Sequence, residues 1–237
     1  MYQDPIDSKL INTKVLPTDQ AAFMTGVYGW MTLALSITGL LAYFTASSPT
    51  LLNLIFSSRI VFFGLIIGTF LLVGWLSLAI RKMSPVTAMV VFLSYSALNG
   101  LMLSSVFMMY TSASIALTFF ITAGTFGIMS IYGYTTKADL TRIGNIAFMA
   151  LIGIILASVV NMFLGNETLY WIISYAGVAI FVALVAYDTQ KIKDMSINGF
   201  DGQAMERKAS IIGALTLYLD FINLFLFLLR LFGSRRS

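Results

Sequence analysis

The sequence predicts an all-α, polytopic membrane protein with seven transmembrane helices, and three observations carry that reading. Of its 237 residues, 59% are hydrophobic and only 10% are charged, whereas soluble globular domains run at about 45–50% apolar and about 25% charged. The few charges are clustered, leaving uncharged runs long enough to cross about 30 Å of hydrocarbon, which takes about 20 helical residues. There is no cysteine and no histidine. Disulfide scaffolds, metal sites built on those ligands, thiol nucleophiles and a Ser-His-Asp relay are therefore excluded. Chemistry must come from 10 acids, 14 bases and the hydroxyl and amide side chains, and no cofactor is expected.

The first 20 residues carry Asp4, Asp7, Lys9, Lys14 and Asp19 without an apolar core, which is not a secretory signal pattern. Residues 1–20 read as a soluble tail and residues 21–232 as the membrane domain, with 233–237 a short C-terminal tail. The first span lies at 21–46, before a loop around Pro49 and Asn53; the second is the uncharged run between Arg59 and Arg81. The stretch from Met83 to Thr136 lacks charge and is too long for one crossing. It divides at the polar turn Thr111-Ser112-Ala113-Ser114 into spans three and four, with Ser84 as N-cap and Pro85 as first helical residue of the third. Spans five (144–164) and six (168–188) flank the turn Gly165-Asn166-Glu167, and span seven covers 210–230. The spacings Gly64xxxGly68 and Gly153xxxAla157 read as sites of close helix approach.

Placed on alternate sides, the basic residues divide unequally. Ten fall with the N-terminus and the loops after spans two, four and six; four, Arg59, Arg230, Arg235 and Arg236, fall opposite. The richer side is cytoplasmic by the positive-inside rule, which puts the N-terminus inside and makes the positive net charge a matter of topology. A nucleic-acid surface would need a basic patch interleaved with aromatics, and none is present. The three C-terminal arginines dissent from this pattern; a re-entrant last helix would return them to the cytoplasm, and seven full spans leave them outside.

An ionised carboxylate near a helix centre costs about 2.5–3.5 kcal/mol on insertion scales, so Asp220 in span seven needs a reason. Gly213, Thr216, Asp220, Asn223 and Arg230 follow one another at spacings that place them on one stripe of a helix. Tyr218 is the other polar side chain of the segment. The stripe either faces a cavity or pathway, or Asp220 is a hydrogen-bonded residue that only holds helices together. Asp188 ends span six, where a solvated carboxylate paired with Lys191 or Lys193 is the plain alternative. Because a cytoplasmic loop joins spans six and seven, the two acids can also lie on adjacent helices entering from the same side. Their depths differ: Asp188 lies five residues from Lys193, about 7–8 Å, and Asp220 twelve from Lys208, about 18 Å. Contact requires helix seven to start outside the membrane, or helix six to continue past Asp188. Arg81, at the cytoplasmic end of span two, is the counter-charge candidate by topology, and equally an ordinary positive-inside residue.

The run Ala186-Tyr187-Asp188-Thr189-Gln190-Lys191-Ile192, followed by Leu217-Tyr218-Leu219-Asp220-Phe221-Ile222-Asn223-Leu224-Phe225, resembles the paired signature of the bacterial branch of the Bax inhibitor-1, or transmembrane Bax inhibitor motif, family. The resemblance implies two layers of three helices around a central C-terminal helix. It also implies a pH-sensitive calcium leak channel of the bacterial cytoplasmic membrane. There Asp188 and Asp220 would be a hydrogen-bonded, pH-sensing pair that also meets the metal ion, with Arg81 a latch matched by location only.

Calcium favours oxygen ligands, and Asp188, Asp220, Asn223 and Thr216 offer a few of them, which suits transport better than tight storage. Asn223, Thr216 and Tyr218 are accordingly the expected ion-pathway residues, and calcium the transported ion. Two rivals come from other classes. An intramembrane aspartyl protease would also set two aspartates on neighbouring spans, but Leu217, Tyr218 and Leu219 stand where that class has glycines, and no enzyme is expected. A partner protein that modulates a membrane-bound ATP-dependent protease is the second, also implied by the resemblance, with the N-terminal tail as its handle.

Overall fold

A computed structural model describes residues 17–197 and 199–236. Residues 1–16, most of the expected tail, lie outside them. The described residues fold into eight helices: α1 Pro17–Ala46, α2 Pro49–Phe56, α3 Arg59–Ala79, α4 Pro85–Met109, α5 Ser112–Thr135, α6 Thr141–Leu164, α7 Glu167–Ile197 and α8 Gln203–Phe232. All but the eight-residue α2 are long and apolar enough to cross a membrane, so the seven expected spans are α1 and α3 to α8.

Local chemistry sets the helix ends. Ser84 Oγ accepts the Thr87 N–H at 3.1 Å with Pro85 as the first helical residue, and Thr111 Oγ1 accepts the Ser114 N–H at 3.3 Å to start α5. Each satisfies one of the amide groups that a helix start leaves without a partner. Gly165, with φ of 61°, closes α6 in the left-handed region, where glycine meets no steric cost.

Two expectations about boundaries are corrected. The Pro49/Asn53 region is the helix α2 rather than a loop: Ser48 caps it by accepting the Leu51 N–H, with Pro49 at its start. The ends assigned to spans six and seven fall short, because α7 runs on to Ile197 and α8 begins at Gln203. At the N-terminus, α1 takes in Pro17 to Gln20.

The packing is two layers around a core helix. α1, α3 and α4 pack together on one side; α5, α6 and α7 pack on the other, and α8 touches α1, α4, α5 and α7. Among the described residues α8 is the most buried span, while α3 and α6 bury few residues fully. Most of the core of α8 is side chains such as Leu217, Tyr218, Leu224 and Leu229, all at 1% exposure or less. Of the glycines expected at close helix contacts, Gly68 packs on the Leu98 side chain of α4, while Gly64 and Gly153 face open space. Close backbone approach occurs instead at Gly100, against Thr38 of α1, and at Gly133, where an added β-carbon would overlap the Ala186 carbonyl of α7. The Gly133 contact seats α7 against α5 two residues before Asp188.

Candidate functional site

Both conditions for bringing the two acids level are met: α7 continues past Asp188, and α8 starts ahead of Lys208. The carboxyl groups of Asp188 and Asp220 come within hydrogen-bonding reach of each other. Asp220 is 5% exposed. Its Oδ2 has no hydrogen-bond donor among the described residues, and a proton held between the two carboxyls would satisfy it.

The pair opens on a cavity of about 500 Å³ between α6, α7 and α8, whose other walls are mainly apolar, including Leu151, Ile154, Val159 and Phe181. Thr216 and Asn223 also line it, so the Thr216, Asp220, Asn223 part of the stripe does face one space. Thr216 Oγ1 donates to the Ile212 carbonyl at 3.1 Å, and Asn223 Nδ2 donates to the Leu219 carbonyl at 2.8 Å. Thr216 is thereby left to offer oxygen lone pairs, and Asn223 offers its Oδ1 beside one remaining N–H. The cavity thus combines two carboxyls and two neutral side-chain oxygens, a donor set that a hard cation could accept weakly. Among the described residues no group of three acids gathers to hold a metal ion tightly.

The rest of the stripe leads elsewhere. Gly213 packs toward Ile192 and Val27. Arg230 lies at the far end of α8 with its guanidinium over the Phe227 and Tyr170 rings, at 5.2 and 5.8 Å from their centres.

Tyr218 does not reach the cavity. Two residues before Asp220, it points to the opposite side of α8, where its ring meets Phe92 and Tyr95 edge-on. Thr38 Oγ1 donates to the Ser96 carbonyl at 2.8 Å. The Tyr218 hydroxyl, 2.8 Å from Thr38 Oγ1, therefore donates to it and accepts from Asn99 Nδ2 at 3.2 Å. This closed network joins α1, α4 and α8 through the layer opposite the aspartates.

Arg81 is likewise not beside the pair. It lies exposed in the turn between α3 and α4, and its carbonyl accepts from Lys208 Nζ at 3.1 Å.

Residues just beyond Asp188 hold the neighbouring loop. Gln190 Oε1 accepts the Leu140 N–H at 2.9 Å while its Nε2 donates to the Ala138 carbonyl at 2.8 Å. Lys193 Nζ donates to the Tyr134 carbonyl at 2.9 Å and lies over the Tyr134 ring. Lys191 similarly covers the Tyr187 ring, so these lysines are spent on α5 and α7 surfaces rather than on solvating Asp188 alone. In the tethered loop, hydrogen bonds from the Thr141 hydroxyl and N–H hold the Asp139 carboxyl below its ordinary range. Sequence reasoning missed the Gln190 clamp, whose partners are backbone groups, and Ser158, which lines the cavity from α6. A hydroxyl in the middle of an apolar span was the available signal for Ser158.

Residues 20–237 match the family model described as inhibitor of apoptosis-promoting Bax1. An inner membrane protein of Escherichia coli K12, YbhL, is 55% identical over 216 residues, covering 90% of this chain and 92% of that one. Uncharacterised proteins of Borreliella burgdorferi and Rickettsia prowazekii are 47% and 44% identical, again over 91% of this chain, and 93% and 90% of their own lengths. With a family match spanning all seven membrane helices and relatives of the same extent, this chain belongs to the Bax inhibitor-1 family of multi-pass membrane proteins.

Proposed function

We propose that this protein is a pH-sensitive calcium leak channel of the bacterial cytoplasmic membrane, gated by a proton shared between Asp188 and Asp220. The observation that carries this reading is the meeting of the two carboxyls at an apolar cavity where Asp220 Oδ2 has no other donor among the described residues. Two carboxylates at such a site cannot both ionise cheaply, so a shared proton joins α7 to α8 and its loss drives them apart. The freed carboxylates, with Thr216 and Asn223, then offer oxygens to a passing calcium ion. In the parted state the charge of Asp188 is met by a cation, or by Arg81 once the α3–α4 turn swings toward α7. The N-terminus and the loop between α7 and α8 lie on the cytoplasmic side.

Calcium uptake into liposomes containing the purified protein tests the reading, with Asp220→Asn as comparison. Asn keeps the shape and much of the hydrogen bonding of Asp but removes its charge. The expected result is uptake above protein-free liposomes that changes in the folded variant; uptake no greater than in empty liposomes would end the channel reading.

A further inference from the structure

The end of the bundle that carries the C-terminus holds a second cavity, of about 550 Å³, between the α6–α7 turn, the end of α8 and the α4–α5 turn. The chain after α8 is built into it. Ser234 accepts the Thr111 N–H through its carbonyl at 3.1 Å and donates its own N–H to Ser114 Oγ at 2.9 Å. Arg236 donates its N–H to the Met109 carbonyl at 3.0 Å and its guanidinium to the Phe107 carbonyl at 3.2 Å. Between these anchors the Arg235 guanidinium is set against the hydroxyls of Tyr110 and Tyr170. Arg230 faces the same cavity from α8, its plane supported by Tyr170 and Phe227. Two arginines thus face one cavity, each beside aromatic side chains.

The polar groups around them are mostly donors. Asn161 Oδ1 accepts the Asn166 N–H at 3.0 Å, and Asn166 Oδ1 accepts the Leu169 N–H at 2.9 Å. Both amides are thereby turned so that their Nδ2 donors remain, and both residues line the cavity. Glu167 is the one carboxylate on its wall, so two guanidiniums leave a net charge of +1. Planar guanidinium forks with amide donors match the oxygens of a phosphate group.

Depth says where that phosphate comes from. Arg230 is two residues from the end of α8, about 3 Å along the axis, which is headgroup level for a spanning helix. Beside the cavity Trp171 and Tyr175 are 38% and 64% exposed and lie against each other, as aromatic side chains do at a membrane-water boundary. Arginines are also disfavoured at this end by the positive-inside pattern, so a specific anionic partner gives them a purpose.

We propose that Arg230, Arg235, Asn161 and Asn166 form a binding site for the phosphodiester headgroup of an anionic membrane lipid. The lipid enters from the side of Trp171 and leaves its acyl chains along the exposed faces of α6 and α7.

The test uses the full chain in nanodiscs of phosphatidylcholine containing a trace of photoactivatable phosphatidylglycerol, with crosslinked peptides mapped by mass spectrometry. Crosslinks are expected in residues 161–175 and 230–236. They should fall about tenfold in Arg230→Gln/Arg235→Gln and stay unchanged in Arg59→Gln, which removes one charge at the same end of the bundle outside the cavity. Wild-type protein with no crosslinks in those two segments would overturn the proposal without recourse to any variant. So would loss of crosslinking equal in Arg59→Gln and the double variant, which marks general charge attraction. Displacement of the lipid by millimolar inorganic phosphate would show a free-phosphate site and overturn the lipid assignment.

Discussion

Asp188, about two thirds of the way along α7, and Asp220, deep in α8, bring their carboxyl groups together within the membrane domain, although the loop between their helices lies well away from both. The relationship depends on helix length. α7 keeps its helical path through Lys191 and Lys193 because Ile192 and Ser196, on its other face, are buried. The lysines themselves reach sideways onto Tyr187 and Tyr134, so charge does not end the helix.

The orientation of the bundle has a direct check, because the native chain contains no thiol. A cysteine introduced at the exposed Asp201, in the α7–α8 connection, is expected to resist a membrane-impermeant maleimide in intact cells and to react after lysis. Labelling from outside would reverse the topology and the ten-to-four reading of basic residues that supports it.

Tyr218→Phe separates the two polar layers that flank α8. It deletes the hydroxyl that joins Thr38 to Asn99, and such bonds between membrane helices are worth about 0.6–1.7 kcal/mol. The expected outcome is a lower melting temperature in detergent with the pH dependence of ion flux retained. A shifted pH profile at unchanged stability would put Tyr218 in the ion pathway after all.

Gln190 ties the loop at Ala138 and Leu140 to the helix that carries Asp188. Gln190→Ala should speed hydrogen exchange at the Leu140 amide severalfold, since the lost bond is worth about 0.5–1.5 kcal/mol. Equal exchange in both proteins would show that the loop is held by its own turn instead.

Much of this was legible in the chain. Charged residues cut the sequence into the seven spans because an ionised group is expensive in hydrocarbon, and Ser84-Pro85 and Thr111 start helices as capping chemistry requires. The stripe spacing correctly grouped Thr216, Asp220 and Asn223. What was lost came from treating charge as a helix end, which is why α7 and α8 are longer than read. Helix α2 carries in Ser48-Pro49 the same capping signal as Ser84-Pro85, although its segment is too short to span. Tyr218 was set on the pathway by polarity alone, although an offset of two residues turns it about 200° from Asp220. The separation of Arg81 from the pair follows from the turn that holds it, and no spacing rule reveals such a distance.

The central claim is that a proton shared by Asp188 and Asp220 sets the flux. Its most direct test is calcium flux into proteoliposomes from pH 5 to 8, at constant calcium and ionic strength, for wild type, Asp188→Asn and Asp220→Asn. A shared proton predicts a transition within that range for wild type and its loss or displacement in both variants, since neither retains a carboxyl pair. A flat wild-type profile, or one that both variants reproduce unchanged, would contradict it.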